Sequence, residues 1–210
     1  MFTGLIETIG ILRDTKKFSN KLLAGIEIEN FESVKTGDSI SCNGVCSTVA
    51  KIENNIYYFE YMAETLDKTY FDGLKRNQKV NIERALISNG RFDGHFVQGH
   101  VDEVGKIKNI YKKNNNISFQ ISYSSKFDNY IIKKGSIAVD GVSLTVADVK
   151  KESFKVSLIS HTFENTNFKN KNIGDPVNLE YDLIGKYLHK FYQNSKNENS
   201  SNIREVLKEW

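Results

Sequence analysis

The sequence predicts two β-domains in tandem, each a closed antiparallel barrel, followed by a helical segment. Three observations lead there. The chain repeats itself at a shift of 97 positions, so that "CNGVCSTVAKI" (42–52) returns as "VDGVSLTVADV" (139–149). Each copy is a series of short alternating or β-branched runs separated by Gly, Asn and Asp, the pattern of strands and turns. After residue 182 the apolar period changes from two to that of a helix.

In the first copy the strands are read at 21–29, 38–44, 46–52, 56–62 and 78–85. The second copy has 116–123, 135–141, 142–149, 153–160 and 175–182, with Pro176 at the start of its last strand, where a missing N–H is tolerated. Many short, evenly spaced strands favour closed barrels, which leave no sheet edge open. At 183–191, Leu183, Ile184, Tyr187, Leu188 and Phe191 fall on one helical stripe. A polar linker is expected at 195–202. A short final helix follows, with Asn202 as N-cap, Glu205 as its capping-box partner, and Ile203, Val206, Leu207 and Trp210 on one face. Such a helix needs something to pack on, a neighbouring subunit being one candidate.

The repeat is broad. Gly44, Val45, Thr48, Val49, Thr65, Thr69 and Phe71 meet identical residues 97 positions later, and "VNIE" (80–83) meets "VNLE" (177–180). Near each start the shift is 95, "GLIETIG" (4–10) against "GHVDEVG" (99–105). Cys46 is matched by Ser143, Asn43 by Asp140 and Glu64 by His161. The domains are 1–93 and 94–185, joined through "ISNGRFDG" (87–94), with a helical segment at 186–210. Two copies are too few for a solenoid and suggest a site at their contact.

Composition sets limits. With 39% hydrophobic and 26% charged residues the chain is an ordinary globular protein. A net charge of +3, with scattered lysines, gives no basic stripe for nucleic acid. No apolar run reaches membrane-spanning length, and "MFTGLIETIG" has no basic leader region. Cys42 and Cys46 are too few for a metal site and poorly spaced for a bridge, so both read as free thiols of a reducing cytoplasm.

"MFTGLIE", "NGVCSTV" (43–49), "ETL" (64–66), "GHFVQGHVD" (94–102), "VDGVSLTV" (139–146) and "SHTFENTNF" (160–168) occur in order. Together they resemble the riboflavin synthases of the alpha-chain type over about residues 1–190. The resemblance implies two six-stranded Greek-key barrels, a C-terminal helix and a homotrimer. The implied reaction is the dismutation of 6,7-dimethyl-8-ribityllumazine to riboflavin and 5-amino-6-(D-ribitylamino)uracil by transfer of a four-carbon unit. It needs no cofactor and no metal. Each barrel would bind one lumazine, with the active site between neighbouring subunits. The setting would be cytoplasmic, with lumazine synthase a candidate partner and no nucleic acid or membrane involved.

Carried over by motif, the N-barrel pocket would use Gly4, Leu5, Ile6, Cys46, Ser47, Thr48, Glu60, Tyr61, Met62, Ala63, Glu64 and Thr65. The C-barrel pocket would use Gly99, His100, Val101, Asp102, Lys134, Ser143, Leu144, Thr145, Ser157, Leu158, Ile159, Ser160, His161 and Thr162. Cys46 and Ser143 are the candidate groups for adding to or polarising an electrophilic carbon and His100 for relaying protons, and Phe2, also a catalytic candidate, would sit by the site because the family's N-terminal segment reaches the catalytic cleft. His95 and Asp140 would order loops. The identity of the base stays open. Plainer readings exist for each residue taken alone. Cys46 is then a small buried thiol, His95 and His100 are structural or surface histidines, and Asn43-Gly44 and Asp140-Gly141 are hairpin turns. Ser47 departs from the apolar residue usual in the family. The rival functions are a lumazine- or flavin-carrying antenna protein with the same double barrel, a flavin reductase, and an oligonucleotide-binding barrel. The reductase would need a glycine-rich phosphate loop, which is absent from the sequence.

Overall fold

The computed structural model describes residues 1–87, 89–113 and 116–206; Ser88, in the expected join, and residues 207–210 lie outside it. Twelve strands form two closed barrels. The first contains β1 (Thr8–Lys17), β2 (Lys21–Glu27), β3 (Ser39–Cys42), β4 (Val45–Glu53), β5 (Ile56–Met62) and β6 (Lys79–Arg84), in the order β1-β2-β5-β4-β3-β6. The second contains β7 (Glu103–Lys113), β8 (Asn116–Ser122), β9 (Ser136–Val139), β10 (Val142–Lys150), β11 (Ser153–Leu158) and β12 (Pro176–Tyr181). Read from β7, its order β7-β8-β11-β10-β9-β12 is that of the first barrel. In each, three hairpin-linked strands return beside an earlier one, which is a Greek key. All pairings are antiparallel, and β1, β4, β7 and β10 each carry a register shift that lets the sheet curl closed.

β1 and β7 were absent from the strands expected of the sequence. Their first halves alternate inward and outward, but their second halves, such as Arg13–Lys17, run out into solvent and carry charges that mask the period. Two separate apolar cores fill the barrels, one around Leu12, Ile26, Phe59 and Ile82, the other around Ile107, Phe119, Phe154 and Leu179. Short helices α1 (Ala63–Lys68) and α2 (Ser160–Glu164) follow β5 and β11 at matched places.

α3 runs unbroken from Leu183 to Val206. It takes in the expected linker at 195–202 and the expected N-cap Asn202, which is a correction. No Gly or Pro interrupts 186–206, and adding a turn to an existing helix costs less than starting a new one. α3 docks through Lys186 on Asp102 and through His189, edge-on to Tyr130 at 5.2 Å. The stripe of Ile184, Tyr187, Leu188 and Phe191 stays exposed on the single chain.

Candidate active site at the crossing of the repeats

The barrels meet at their matched hairpin turns. Asn43, Gly44, Asp140 and Gly141 all have positive φ, the backbone of tight two-residue hairpins. The two glycines touch: a Cβ on Gly44 would lie 2.7 Å from the Gly141 nitrogen, and one on Gly141 the same distance from the Gly44 nitrogen. Around them the polar groups cross between barrels. Asn81 Nδ2 donates to the Asp140 carbonyl and Asn178 Nδ2 to the Asn43 carbonyl, both at 2.9 Å. Within each barrel, Asn43 Oδ1 accepts from Asn81 N at 2.7 Å and Asp140 Oδ1 from Asn178 N at 2.8 Å. The two turns are hairpins, as the sequence suggests, and also the contact between the domains. Asp140 carries the extra charge of the pair, and the buried Lys171 ammonium sits 2.8 Å from it.

Two straps then cross over this contact. Residues 2–5 are held by their own barrel: Glu83 accepts from Thr3 N, Thr3 Oγ1 and Gly4 N at 2.7, 2.7 and 3.0 Å. Residues 97–101 are held likewise by Glu180, which accepts from Gln98 N, Gly99 N and His100 N at 2.6, 2.9 and 3.1 Å. The straps pair with each other through Phe2 and Val97. Each strap ends on the opposite barrel. Gly4 O accepts from Ser143 N at 2.8 Å, and Gly99 O from Cys46 N at 2.9 Å. Only glycine fits: φ is +80° and +81°, and an added Cβ would come within 2.6 Å of the Ser143 or Cys46 Cβ.

This corrects the expected grouping. Gly4, Leu5 and Ile6 belong with Ser143 on the second barrel, and Gly99, His100 and Val101 with Cys46 on the first. A cleft of about 460 Å³ beside Cys46 is lined by Glu64, Thr65, Gly99, His100 and Val101 among others.

Strand alternation sorts the remaining candidates. Thr48, Glu60, Met62, Ala63 and Glu64 face outward on the first barrel with Cys46 and Thr65 partly exposed, while Thr145, Ser157, Ile159, Ser160 and His161 do so on the second with Ser143 and Thr162. Ser47, Tyr61, Leu144 and Leu158 point into the barrels, so only their backbones border the outer faces. Ser47 Oγ donates to the Val45 carbonyl and lies 3.0 Å from the Tyr61 hydroxyl. Glu60 is paired with Lys21, and Asp102 with Lys186 while also accepting from Tyr181 N. Lys134 is exposed at a left-handed turn before β9. Phe2 is wholly buried with Val97 and Ala138, so its side chain packs the crossing of the straps. Both cysteines are free, and burial pushes the Cys42 thiol up to about 12.

One side chain does more than its motif suggested. His95 Nδ1 lies 2.7 Å from Ser143 Oγ, and burial lowers the imidazole below its ordinary value. In the sequence its only signal was membership of "GHFVQGH". Among the described residues no group of three or more His, Cys, Asp or Glu is placed to hold a metal ion.

The profile of the lumazine binding domain matches residues 3–85 and again 98–182. This chain belongs to that family. Its lumazine-binding repeats fall on the two barrels with their straps. Curated relatives named riboflavin synthase include that of Actinobacillus pleuropneumoniae, 45% identical over 91% of this chain and 89% of the relative. That of Bacillus subtilis is 41% identical over 96% and 94%. That of Schizosaccharomyces pombe is 39% identical over 92% and 94%. Among solved structures, LumP complexed with riboflavin superposes with a TM-score of 0.81 at 24% identity, covering 86% of this chain and 99% of LumP. LumP with 6,7-dimethyl-8-(1'-D-ribityl) lumazine gives 0.79 at 22%, covering 86% and 98%. At those identities the likeness is one of fold.

Proposed function

We infer that this protein is a riboflavin synthase, converting two molecules of 6,7-dimethyl-8-ribityllumazine into riboflavin and 5-amino-6-(D-ribitylamino)uracil. The observation that carries the reading is the pair of matched outer faces, one headed by Cys46 and one by Ser143, in a chain whose curated relatives bear that name over nearly their whole length. A reaction between two copies of one substrate, one giving and one receiving a four-carbon unit, calls for two like binding faces that differ at the reacting position. Cys46, Thr48, Glu64, Thr65 and His100 would meet one lumazine; Ser143, Thr145, His161, Thr162 and the Gly4–Ile6 strap would meet the other. Holding the two rings in register supplies orientation worth roughly 7–11 kcal/mol of the barrier. His100, exposed beside Cys46, would move the proton in this reading.

The same reading includes a cofactor-free and metal-free reaction, a cytoplasmic setting, and a homotrimer in which the exposed stripe of α3 is covered and sites form between subunits. Association with lumazine synthase is its outermost element. No helix among the described residues is long and apolar enough to cross a membrane. The fold likeness to LumP favours one alternative, a lumazine- or flavin-binding antenna protein without turnover. Incubation with 6,7-dimethyl-8-ribityllumazine alone separates the two. One riboflavin formed per two lumazines consumed is the expected result, and tight binding without conversion would favour the antenna.

A further inference from the structure

We propose that Ser41 is a positioning residue for Cys46, its hydroxyl donating a hydrogen bond to the sulfur once the thiol has lost its proton to water. The inference deepens the riboflavin synthase reading, on which the part played by Cys46 rests. Ile40 and Cys42 belong to the first core, so Ser41 between them points outward, as Cys46 does between the buried Val45 and Ser47. β3 places Ser41 opposite Cys46 on one side and opposite Glu83 on the other, so the three side chains form a row across the outer face. Cys42 and Val45 close a two-residue hairpin. The next pair, Ser41 and Cys46, is therefore of the non-hydrogen-bonded kind in which side chains stand closest, about 4.5–5.5 Å between Cβ atoms. The Cys46 N–H, free of the ladder, donates instead to Gly99 O at 2.9 Å.

Ser41 is 1% exposed, and among the described residues its Oγ has no hydrogen-bond partner. Buried hydroxyls are seldom left so. Glu83 has its carboxylate turned to Thr3 and Gly4. The hydroxyl rests against Gly141, where an added Cβ would lie 3.3 Å from it. One staggered turn about χ1 carries it along the row to the sulfur. A thiol is a weak acceptor and a thiolate a strong one, so the bond forms with the charge. The other charged or titratable groups at the cleft are Glu64 and Lys68, paired at 3.3 Å, and the exposed His100. The matching row of the second barrel is Ser143, Ala138 and Glu180. Its middle place holds a methyl group packed with Phe2. Of the two rows, only the first carries a donor there.

The test compares full-length parent and Ser41→Ala in their reaction with 2,2′-dipyridyl disulfide, followed by the absorbance of released thiopyridone. Alanine is the second row's own residue at this place, so the variant is expected to fold. Cys42 is wholly buried, so the reaction reports Cys46. At about pH 7, losing one bond to a charged group lowers the thiolate fraction about 10-fold, while the less stabilised thiolate is about 3-fold more nucleophilic. The expected net result is a variant about 3-fold slower. At about pH 10, above the ordinary thiol range, the order is expected to reverse, with the variant about 3-fold faster. Equal rates at both pH values would overturn the proposal. So would a change in the same direction at both, since altered access to the cleft acts on both alike. Turnover of 6,7-dimethyl-8-ribityllumazine is the second arm. Ser41→Ala is expected to lower kcat with KM unchanged, and to cost nothing further in a Cys46→Ala background; an equal loss in that background would overturn the proposal. A reversal of thiol reactivity with no riboflavin formed by either protein would leave the Ser41 contact standing and sink the synthase reading instead.

Discussion

Behind its outer face the first barrel buries Ser47 against Tyr61; at the same two positions the second barrel buries Leu144 and Leu158. At the junction the contrast runs the other way. The first barrel offers a neutral Asn43 with Leu74 at the position that matches Lys171, whereas the second offers Asp140 paired with Lys171. The strand order, the hairpin turns and the outward-facing positions are nevertheless common to both. A barrel of this kind accepts a polar pair or an apolar pair inside, provided every buried polar group is bonded. The touching glycines, the strap glycines and the two clamping glutamates, all of which join the halves, are repeated without substitution.

The largest expected effect tests the charged junction. Lys171→Leu leaves the Asp140 carboxylate buried without its counter-charge and is expected to cost about 3–5 kcal/mol, read from urea midpoints. Adding Asp140→Asn, which rebuilds the first repeat's version, is expected to restore most of it. A double variant as unstable as the single would show that the junction is not interchangeable.

The next test concerns the clamps. Removing either glutamate strips charge-assisted bonds from a strap, at about 1.5–3 kcal/mol. The crossing makes the local effects reciprocal. Glu180→Ala should speed hydrogen exchange at the Cys46 amide and spare that of Ser143, and Glu83→Ala should do the reverse. Deprotection on the same barrel as the mutation would contradict the crossing. Burial raises the Glu180 carboxyl to about 7 from an unfolded value near 4.5, despite its three N–H donors. Its contribution to stability is therefore complete below about pH 4.5 and is lost as pH rises through 7. The melting temperature should fall from pH 5 to pH 8, more steeply in the parent than in Glu180→Gln.

The smallest effect lies in the core. Tyr61→Phe takes one partner from Ser47 Oγ, which keeps its bond to the Val45 carbonyl, and should cost about 1 kcal/mol. Ser47→Ala combined with Tyr61→Phe should be nearly neutral. A large cost for the double variant would mean that the polar pair does more than fill space.

Much of this organisation was legible in the sequence. The repeat placed Cys46 opposite Ser143, and the motifs took in the outward positions of β4, β5, β10 and β11 together with the inward Ser47, Tyr61, Leu144 and Leu158. The repeat could not say which barrel a strap lies on. The change of shift from 95 to 97 falls inside the barrels, between β2 and β3 and between β8 and β9, and so carries no sign of where a strap lies; contacts across the molecule leave no periodic trace. That is why Gly4–Ile6 and Gly99–Val101 were grouped with the wrong partners, and why His95 read as a loop residue. Charged overhangs hid β1 and β7, and a polar composition at 195–202 resembled a linker although nothing in it breaks a helix.

The crossing of the straps also has a meaning for how the chain is made. At roughly 5–20 residues per second, Gly4 leaves the ribosome roughly 7–30 s before Ser143, the residue it rests on. During that interval the first barrel can close, yet Phe2 has neither Val97 nor Ala138 to cover it and Cys46 lacks the Gly99 carbonyl. The first half of the molecule is therefore born unfinished on the side of the proposed site, and each half is completed only by the arrival of the other.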